Sequence, residues 1–475
     1  MVEQLRKVPS GIAGLDELTG GGLPAGRPTL VCGGPGCGKT LLATTFLVTG
    51  ATAHAEPGVF MSFDERIADL GVNVASLGFD LPDLEVRKLL ATDYVHLDRR
   101  ELHETGEYDL EGLFVRLNAA VRRVGAKRVV LDSIDTLFAG IPNEAILRSE
   151  LRRLFVWLKE RELTTLITAE RGEKTLTRHG IEEYVSDCVI VLDHRVIDDL
   201  STRRLRVVKY RGTSHGTNEY PFLIDADGIT VLPITSLGLR HGASEERLPT
   251  GLAELDAMLA GEGYFRGTSI FVTGGPGTGK TTIGAHFAEA TCRRGERCLY
   301  FSFEESPSQL VRNMRSAGIE LQPWIDKGLL SCHASRPSLG GLEMHLAVTL
   351  KAIQDFGPAV VIVDPLSSLL ASGIGYQSAG MMLRLVDFLK SKNVTALFVS
   401  LQEGEEPSQM HISSIMDTWI VVRNVRSDTE LSRRLHVVKA RGMAHSSRVQ
   451  QMEITSKGVR LANFVAKPDA PGEPR

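Results

Sequence analysis

Two copies of one glycine-rich stretch decide the fold: GGPGCGKT at residues 33–40 and GGPGTGKT at residues 274–281. Both fit the pattern G-x-x-x-x-G-K-[ST], and each follows a short apolar run and opens a helical pattern. The glycines let the backbone curl so that successive N–H groups point at phosphate oxygens, and the positive end of the next helix strengthens this attraction. A glycine-rich structural turn is the alternative, but two matches in one strand–loop–helix context favour two phosphate-binding loops (P-loops).

Each P-loop predicts a defined set of contacts with ATP and Mg²⁺. Lys39 and Lys280 would reach the β- and γ-phosphates, while the hydroxyls of Thr40 and Thr281 would bind the metal. The predicted ATP-binding residues are Gly34, Pro35, Gly36, Cys37, Gly38, Lys39, Thr40, Leu41, Gly275, Pro276, Gly277, Thr278, Gly279, Lys280, Thr281 and Thr282.

The similarity of the two halves extends well beyond the P-loops. Lys39 corresponds to Lys280, an offset of 241 (280 − 39), and further segments match in the same order. They are FMSFDE (60–65) with YFSFEE (300–305), RVVLDSIDTLFAG (128–140) with AVVIVDPLSSLLASG (359–373), and RRLRVVKYRG (203–212) with RRLHVVKARG (433–442). This repetition indicates a duplicated domain. We expect a first domain at 1–240, a linker at 241–247, a second domain at 248–465 and a disordered tail at 466–475.

Short apolar, β-branched runs alternate with longer helical patterns in each half. Runs that are apolar on both faces and separated by helices indicate a parallel sheet covered on both sides. The predicted fold class is therefore α/β, a mainly parallel sheet flanked by helices, with antiparallel hairpins added at the end of each half. The predicted strands of the first half are Thr29–Cys32, Gly58–Ser62, Arg128–Leu131, Thr165–Thr168 and Cys188–Leu192.

One acidic residue ends a predicted strand in each half. Asp132 and Asp364 stand where a carboxylate can hold Mg²⁺ through water. An Asp at a strand end can also serve only as a helix cap. Because each Asp accompanies a P-loop, the sequence favours the metal-binding interpretation.

A pair of acids follows the neighbouring strand of each half: Asp64 with Glu65, and Glu304 with Glu305. A carboxylate beside the γ-phosphate can accept a proton from the attacking oxygen. The alternative is a solvated acid at a helix start, but the recurrence of the pair favours a catalytic role. Since Asp64 is one methylene shorter than Glu304, we expect weaker or altered hydrolysis in the first domain.

A K-x-R-G motif recurs at the end of a strand, with Lys209 and Arg211 in the first half and Lys439 and Arg441 in the second. Alternate strand residues project to one face, so each Lys and Arg would point together. In a ring whose nucleotides lie at subunit interfaces, the pair could reach the neighbour's γ-phosphate as arginine fingers do. The alternative is a solvated basic strand edge.

Bulk composition narrows the class of protein. The chain is 43% apolar and 24% charged, as expected of a globular protein, and its net charge of −4 gives no general attraction to nucleic acid or membranes. No apolar run approaches the roughly 20 residues that span a bilayer, and the N-terminus lacks the apolar core of a secretion signal. Six cysteines without a C-x-x-C pair predict reduced thiols in the cytoplasm and no zinc site; they are Cys32, Cys37, Cys188, Cys292, Cys298 and Cys332.

Taken together, these motifs make the sequence similar to the KaiC family, the RecA-type ATPases of the bacterial circadian clock. The resemblance rests on the double P-loop and on GLDELTGGGLPAGR (14–27), FSFEES (301–306), VKYRGTSHGTNEYPF (208–222) and HISSIMDT (411–418). It implies tandem RecA-like P-loop NTPase domains in a homohexameric double ring with ATP between protomers. It further implies that the first ring hydrolyses ATP, that the second phosphorylates itself, and that KaiB-like or other signalling proteins are partners.

The resemblance also assigns phosphate acceptors. Two adjacent hydroxyl residues that accept phosphate in the family's second domain match Ser413 and Ser414, and a nearby hydroxyl position matches Ser408. The general base of the family matches Glu304. The tail after KGVRLANF (457–464) is short and does not resemble the family's regulatory C-terminal loop.

The first half serves as an internal control for the serine pair. When Asp187 is aligned with Asp417, the two serines fall opposite Glu183 and Tyr184. Paired serines therefore occur at this place in the second half alone. The sequence thus predicts an ATPase and serine autokinase, with phosphate transfer confined to the second domain.

Two other functions remain open at this point. A RecA- or RadA-like DNA-binding ATPase would need basic loops after Asp132 and Asp364. The segments there, TLFAGIPNEA (136–145) and SSLLASGIGYQS (367–378), contain no Lys or Arg, which argues against nucleic acid as a partner. A non-catalytic signalling scaffold that responds to ATP would share the fold without the chemistry.

Overall fold

The structure is a computed structural model that describes residues 5–95, 110–138, 144–172, 175–177, 180, 186–197, 200–225, 228–232, 242–336, 341–370, 375–401, 412–426 and 431–463. The chain divides into two compact units, Met1–Ser236 and Leu237–Arg475. Four features named from the sequence lie outside the described residues: Ser408, Glu183, Tyr184 and the tail 466–475. None of the helices in the described ranges is both long and apolar enough to span a bilayer.

The first unit follows an alternating order of strands and helices. Its strands are β1 (Lys7–Val8), β2 (Leu23–Pro24), β3 (Pro28–Gly33), β4 (Gly58–Ser62), β5 (Leu90–Tyr94), β6 (Arg128–Asp132), β7 (Thr164–Glu170), β8 (Cys188–Ile197), β9 (Leu200–Tyr210), β10 (Glu219–Asp225) and β11 (Gly228–Val231). Its helices are α1 (Leu15–Leu18), α2 (Lys39–Ala53), α3 (Ile67–Ala75), α4 (Leu81–Val86), α5 (Glu111–Val124), α6 (Ile134–Phe138) and α7 (Glu144–Glu160).

The second unit repeats this order. Its strands are β12 (Arg247–Leu248), β13 (Tyr264–Phe265), β14 (Ser269–Gly274), β15 (Cys298–Ser302), β16 (Leu330–Ala334), β17 (Val360–Asp364), β18 (Thr395–Leu401), β19 (Thr418–Arg426), β20 (Leu431–Ala440), β21 (Gln450–Thr455) and β22 (Gly458–Asn463). Its helices are α8 (Ala253–Met258), α9 (Lys280–Arg293), α10 (Pro307–Ser316), α11 (Gln322–Asp326), α12 (Leu342–Phe356), α13 (Leu366–Leu370) and α14 (Gly375–Ser391).

Within its described residues, each unit forms one large sheet with the same strand order. The first runs β11-β10-β9-β8-β3-β7-β6-β4-β5, and the second runs β22-β21-β20-β19-β14-β18-β17-β15-β16. The strands from β8 to β5 pair in parallel, whereas β9, β10 and β11 add antiparallel hairpins. The predicted fold class and all five predicted strands of the first half are confirmed. Gly58–Ser62 has the predicted bounds, and the other four strands extend by one to five residues at one end or both.

Helices cover both faces of each parallel sheet because its central strands are apolar on both sides. Every residue of β3, β4 and β6 is buried. One apolar cluster joins α2 to one face of the first sheet through residues such as Phe46, and another joins α5 and α7 to the opposite face through Leu117 and Leu151. The carboxyl ends of the parallel strands meet at one edge of the sheet, where α/β proteins place their ligands.

A buried arginine at the start of β6 distinguishes the first unit from the second. Arg128, the first residue of β6, is fully buried, and its Nε donates to Glu56 Oε2 at 2.7 Å. Its Nη1 donates to the carbonyl oxygens of Pro9 at 3.0 Å and Phe46 at 2.8 Å. The corresponding first residue of β17 is Val360, so the second unit fills this place with an apolar side chain. Arg128 therefore ties α2, β6 and the N-terminal segment together in the first unit alone.

Because Gly50 in α2 has no side chain, the buried side chain of Arg128 can pack against it. We therefore expect a glycine-to-alanine change at this position to destabilise the protein, although the same change usually stabilises a helix. A Cβ at Gly50 would lie 2.4 Å from Arg128 Cδ, whereas a Cβ at Gly284 in α9 would meet nothing closer than 3.4 Å. In a helix interior, alanine is ordinarily more favourable than glycine by about 1 kcal/mol. We expect Gly50→Ala instead to lower the free energy of unfolding by about 1–3 kcal/mol in urea titrations, because overpacking displaces a buried side chain.

The matched control for this prediction is Gly284→Ala, which should be neutral or stabilising in the same titration. A gain in stability for Gly50→Ala similar to that of the control would contradict the packing described here.

Candidate functional site

Each P-loop lies at the carboxyl edge of its sheet, between the first central strand and the helix that follows. Residues 33–40 connect β3 to α2, and residues 274–281 connect β14 to α9. Gly38 and Gly279, which precede the helices, have φ values of 100° and 93°, in the left-handed region that favours glycine. The sequence therefore forms this turn because glycine stands where the backbone reverses.

The antiparallel hairpins of each sheet support the P-loops from the side. A Cβ on Gly38 would lie 2.9 Å from Ile224 Cδ1, and one on Gly279 would lie 2.5 Å from Ile454 Cδ1. In the second unit, Arg433 Nε on β20 also donates to the carbonyl oxygen of Gly277 at 3.1 Å. Arg433 was not predicted as a site residue, although an Arg-Arg pair recurs at the same place in both halves.

The P-loop lysines lie within their own loops. Lys39 Nζ donates to the carbonyl oxygens of Gly33 at 2.8 Å and Gly34 at 3.0 Å, and Lys280 Nζ donates to that of Gly275 at 2.7 Å. Both ammonium groups thus stand among the backbone groups predicted to surround the phosphates. They can exchange carbonyl partners for phosphate oxygens without moving to another part of the unit.

The predicted metal-binding residues come together in both units. In both units the hydroxyl of the P-loop threonine lies beside the buried strand-end aspartate. Thr40 acts to lower the pKa of Asp132 and Thr281 acts to lower that of Asp364, whereas burial raises the pKa of both carboxyl groups. Hydroxyl and carboxylate oxygens beside a phosphate site are the ligands Mg²⁺ uses, so the residues present fit this metal.

A serine-held turn presents the acidic pair of each unit. Ser62 Oγ donates to the carbonyl oxygen of Glu65 at 2.6 Å, and Ser302 Oγ donates to that of Glu305 at 2.7 Å. The first acid of each pair is exposed, and the second is half-buried. The turn therefore gives the two acids of a pair different surroundings.

The two acids of a pair have different partners. Asp64 accepts a hydrogen bond from Thr136, and Glu304 Oε1 accepts one from Ser368 Oγ at 2.8 Å, so each first acid faces the segment that follows the buried aspartate. The second acids turn to the next helix instead. Glu65 Oε1 accepts from Asn73 Nδ2 at 2.6 Å, and the same contact recurs between Glu305 and an asparagine of α10. The pKa of Glu65 is raised by burial and by nearby acids.

An open pocket of about 620 Å³ adjoins the first P-loop. It is lined by residues 36–41, by Glu65, by the apolar face of α3 and by Ile224 and Asp225 of β10. Its walls combine the phosphate-binding backbone with apolar side chains. Such a pocket suits a ligand with a charged tail and a flat, largely apolar ring.

Lys439 and Arg441 both contact the segment that carries the paired serines. Lys439 Nζ donates to the carbonyl oxygen of Ser413 at 2.6 Å, and Arg441 Nη2 donates to that of Ser414 at 2.5 Å. These serines lie in a helical turn at 412–415, where Ser413 is buried and Ser414 is exposed. Arg441 also lies 3.9 Å from Asp417.

The first unit preserves part of this arrangement. Arg211 Nη1 lies 3.8 Å from Asp187 Oδ1, the counterpart of the Arg441–Asp417 contact. Lys209 is half-buried on β9, opposite Val189. The arginine of the basic motif therefore approaches the corresponding aspartate in both units.

Comparison with known proteins agrees with this geometry. A family model described as the KaiC ATPase matches residues 8–236 and 248–464. The circadian clock protein KaiC2 of Synechocystis sp. (strain ATCC 27184 / PCC 6803 / Kazusa) is 50% identical over 462 residues, covering 96% of this chain and 81% of the relative. The circadian clock oscillator protein KaiC of Synechococcus elongatus is 36% identical over 464 residues, covering 96% and 89%, and that of Parathermosynechococcus lividus is 36% identical over 470 residues, covering 97% and 86%.

The P-loop helix of the second unit carries a histidine that helps hold the supporting hairpin. His286 Nε2 accepts a hydrogen bond from the Val459 N–H at 3.2 Å, which joins α9 to β22. Burial lowers the pKa of His286 to about 4, and Arg293 acts in the same direction. A protonated imidazole could not accept this bond, so the contact requires the neutral side chain.

The stability of the second unit is expected to fall in mild acid because of His286. Its folded-state pKa of about 4 lies below the ordinary 6.5, so the unfolded chain takes up the proton first as the pH falls. The contribution of His286 is therefore complete above pH 6.5 and declines as the pH drops toward 4. His286→Gln keeps an acceptor for Val459 but does not titrate. In urea unfolding, this variant should lose less stability than the parent between about pH 7 and about pH 5; equal losses would contradict the assignment.

Proposed function

The chain belongs to the KaiC family of ATPases, and on this premise we propose that it binds ATP at both P-loops, hydrolyses it, and phosphorylates its own serines in the second unit. The observation that carries the proposal is that, in both units, a P-loop threonine lies beside a buried strand-end aspartate. A glycine-rich turn with only a structural role would not require that arrangement. Two such sites in one chain support two nucleotides per protomer.

The triphosphate would lie along the backbone N–H groups of residues 33–40 and 274–281, with Lys39 and Lys280 at the β- and γ-phosphates. In the first unit, the pocket formed with α3 and β10 would receive the base and ribose. Thr40 with Asp132, and Thr281 with Asp364, would hold Mg²⁺. Bound there, the metal would neutralise charge on the phosphate oxygens.

Glu304 is the proposed general base of the second unit. Its carboxylate is exposed and accepts from the Ser368 hydroxyl at 2.8 Å, so it already receives a hydrogen bond from an alcohol. Glu305 is held by an asparagine of α10 and would position the turn rather than take a proton. In the first unit, Asp64 would activate water, and its shorter side chain supports slower hydrolysis there.

Ser413 and Ser414 are the proposed phosphate acceptors. The serine Oγ would form a bond to the γ-phosphorus of ATP while the bond from that phosphorus to the β–γ bridging oxygen breaks. Glu304 would take the hydroxyl proton, and ADP would leave. Lys439 and Arg441 hold the backbone of the serine segment, and across a subunit interface they would also face the neighbour's γ-phosphate.

The relatives named circadian clock proteins support a corresponding assembly and role for this chain. We place it in a homohexameric double ring that acts as a circadian or signalling timer with KaiB-like partners. Its six cysteines are free thiols, which suits the reducing cytoplasm.

Each P-loop lysine should account for one nucleotide site. We expect calorimetric titration with a non-hydrolysable ATP analogue and Mg²⁺ to give two sites per chain, and Lys39→Ala or Lys280→Ala to remove one site each. Loss of a charge-assisted contact to phosphate weakens binding by about tenfold to a hundredfold. The surface variant Lys392→Ala is the control and should retain both sites; retention of both in either P-loop variant would refute the assignment.

Incubation with γ-labelled ATP and Mg²⁺ tests the kinase proposal. Label should appear on Ser413 or Ser414, vanish in the double Ser413→Ala/Ser414→Ala variant, and fall by about a hundredfold or more in Glu304→Gln. Glu305→Gln is the matched control, because its amide oxygen can still accept from the asparagine of α10, and it should retain most of the labelling. Absence of label in a chain that hydrolyses ATP would overturn the kinase step while leaving the ATPase in place.

A further inference from the structure

Each buried aspartate receives a hydrogen bond from a hydroxyl on a neighbouring strand, but the two units take that hydroxyl from opposite sides. β6, which ends at Asp132, lies between β4 and β7, and β17, which ends at Asp364, lies between the corresponding β15 and β18. The sheet therefore offers two flanking strands from which a donor can reach the carboxylate. The units use different ones.

In the first unit the donor stands on β7. Thr168 is fully buried, and its hydroxyl donates to Asp132. The parallel register pairs Leu131 with Ile167, which places Thr168 beside the aspartate at the end of the strand. On the other side, β4 contributes Phe60, which is buried and has no hydroxyl.

In the second unit the donor stands on the opposite strand. Tyr300 on β15 is fully buried, and its hydroxyl donates to Asp364 Oδ2 at 2.6 Å. Tyr300 is the third residue of β15, as Phe60 is the third of β4. On the other side, Val399 of β18 stands at the position that corresponds to Thr168 of β7. Val399 pairs with Val272, just as Thr168 pairs with Val31. The second unit thus has Tyr and Val where the first has Phe and Thr.

Each unit therefore has one buried hydroxyl beside its aspartate, but the hydroxyl comes from a different strand in each unit. Packing alone would be met by Phe and Val at both places, since those residues are buried there already. A buried carboxylate oxygen without a donor, however, carries an uncompensated desolvation cost. The feature retained in both units is therefore the hydrogen bond to the aspartate.

We propose that Thr168 and Tyr300 are equivalent positioning residues that orient Asp132 and Asp364 for Mg²⁺ binding, each from its own side of the strand. This inference rests on the proposed function, because it assigns the partners of the Mg²⁺-binding carboxylates. The hydroxyl fixes the rotation of the carboxylate and leaves its remaining acceptor positions to the P-loop threonine and the metal. Outer partners of this kind typically change metal affinity by about 10- to 100-fold when removed.

The test reads one site at a time in the full chain. Lys39→Ala serves as the background for the second unit, and Lys280→Ala serves for the first. The probe is an ATP analogue carrying a fluorescent group on its ribose. The quantities measured are the Mg²⁺ concentration that gives half-maximal binding and the dissociation constant in the presence of EDTA.

In the Lys39→Ala background, Tyr300→Phe should raise the half-maximal Mg²⁺ concentration by about tenfold and leave binding in EDTA unchanged. Adding Val399→Thr, which supplies the hydroxyl from the opposite strand, should restore the parent value. In the Lys280→Ala background, Thr168→Val should have the same effect, and Phe60→Tyr should reverse it. This second arm carries the test even if one single variant fails to fold.

An unchanged Mg²⁺ dependence in Tyr300→Phe and Thr168→Val would overturn this inference alone, as would failure of both compensating changes to restore it. Absence of Mg²⁺-dependent binding in both parent backgrounds would overturn the proposed function together with it. Restoration from the opposite strand would support the inference specifically, because a merely structural role for Tyr300 would not be replaced by a threonine at position 399.

Discussion

Each proposed nucleotide site depends on one constraint: a P-loop threonine must lie beside an aspartate that is buried two strands away. The parallel register makes this possible, because it brings the ends of β3 and β6 to the same edge of the sheet. Burial favours hydroxyl donors at this place, since desolvation raises the pKa of Asp132 and the hydroxyls of Thr168 and Thr40 act to lower it. The serine-held acidic turn and the hairpin that packs against the P-loop glycine lie around this threonine and aspartate.

The parts of the site that lie on continuous motifs could be predicted from the sequence. P-loop glycines, strand-end aspartates and acidic pairs can be identified from their spacing in a short stretch of sequence. Each of these patterns occurs in both halves of the chain, which supports its identification. Contacts made across strands could not be predicted in this way. Arg433 reaches the P-loop from β20, and Tyr300 reaches Asp364 from β15, so neither stands near its partner in sequence. The roles of the paired serines and of the Lys-x-Arg motif remain proposals, although the structure places Lys439 and Arg441 on the serine segment.

The two units show how one backbone accepts different side-chain solutions. Arg128 and Gly50 form a complementary pair in the first unit, where the second has Val360. The aspartate donors change strands by a similar paired exchange. In the second case, a change on one side of the aspartate's strand accompanies a change on the other side, so the buried hydrogen bond to the aspartate is preserved. The units can therefore differ in the side chains around the proposed sites without a change of fold.

The central claim is that the two P-loops hold the triphosphate of ATP through backbone N–H groups, lysine and a threonine–aspartate metal site. An experimental structure of the full chain with Mg²⁺ and a non-hydrolysable ATP analogue tests it most directly. The account predicts a nucleotide at each loop, with Lys39 Nζ transferred from the carbonyl oxygens of Gly33 and Gly34 to phosphate oxygens, and the same exchange at Lys280. Nucleotide bound away from both loops, with the lysines still on those carbonyls, would contradict it.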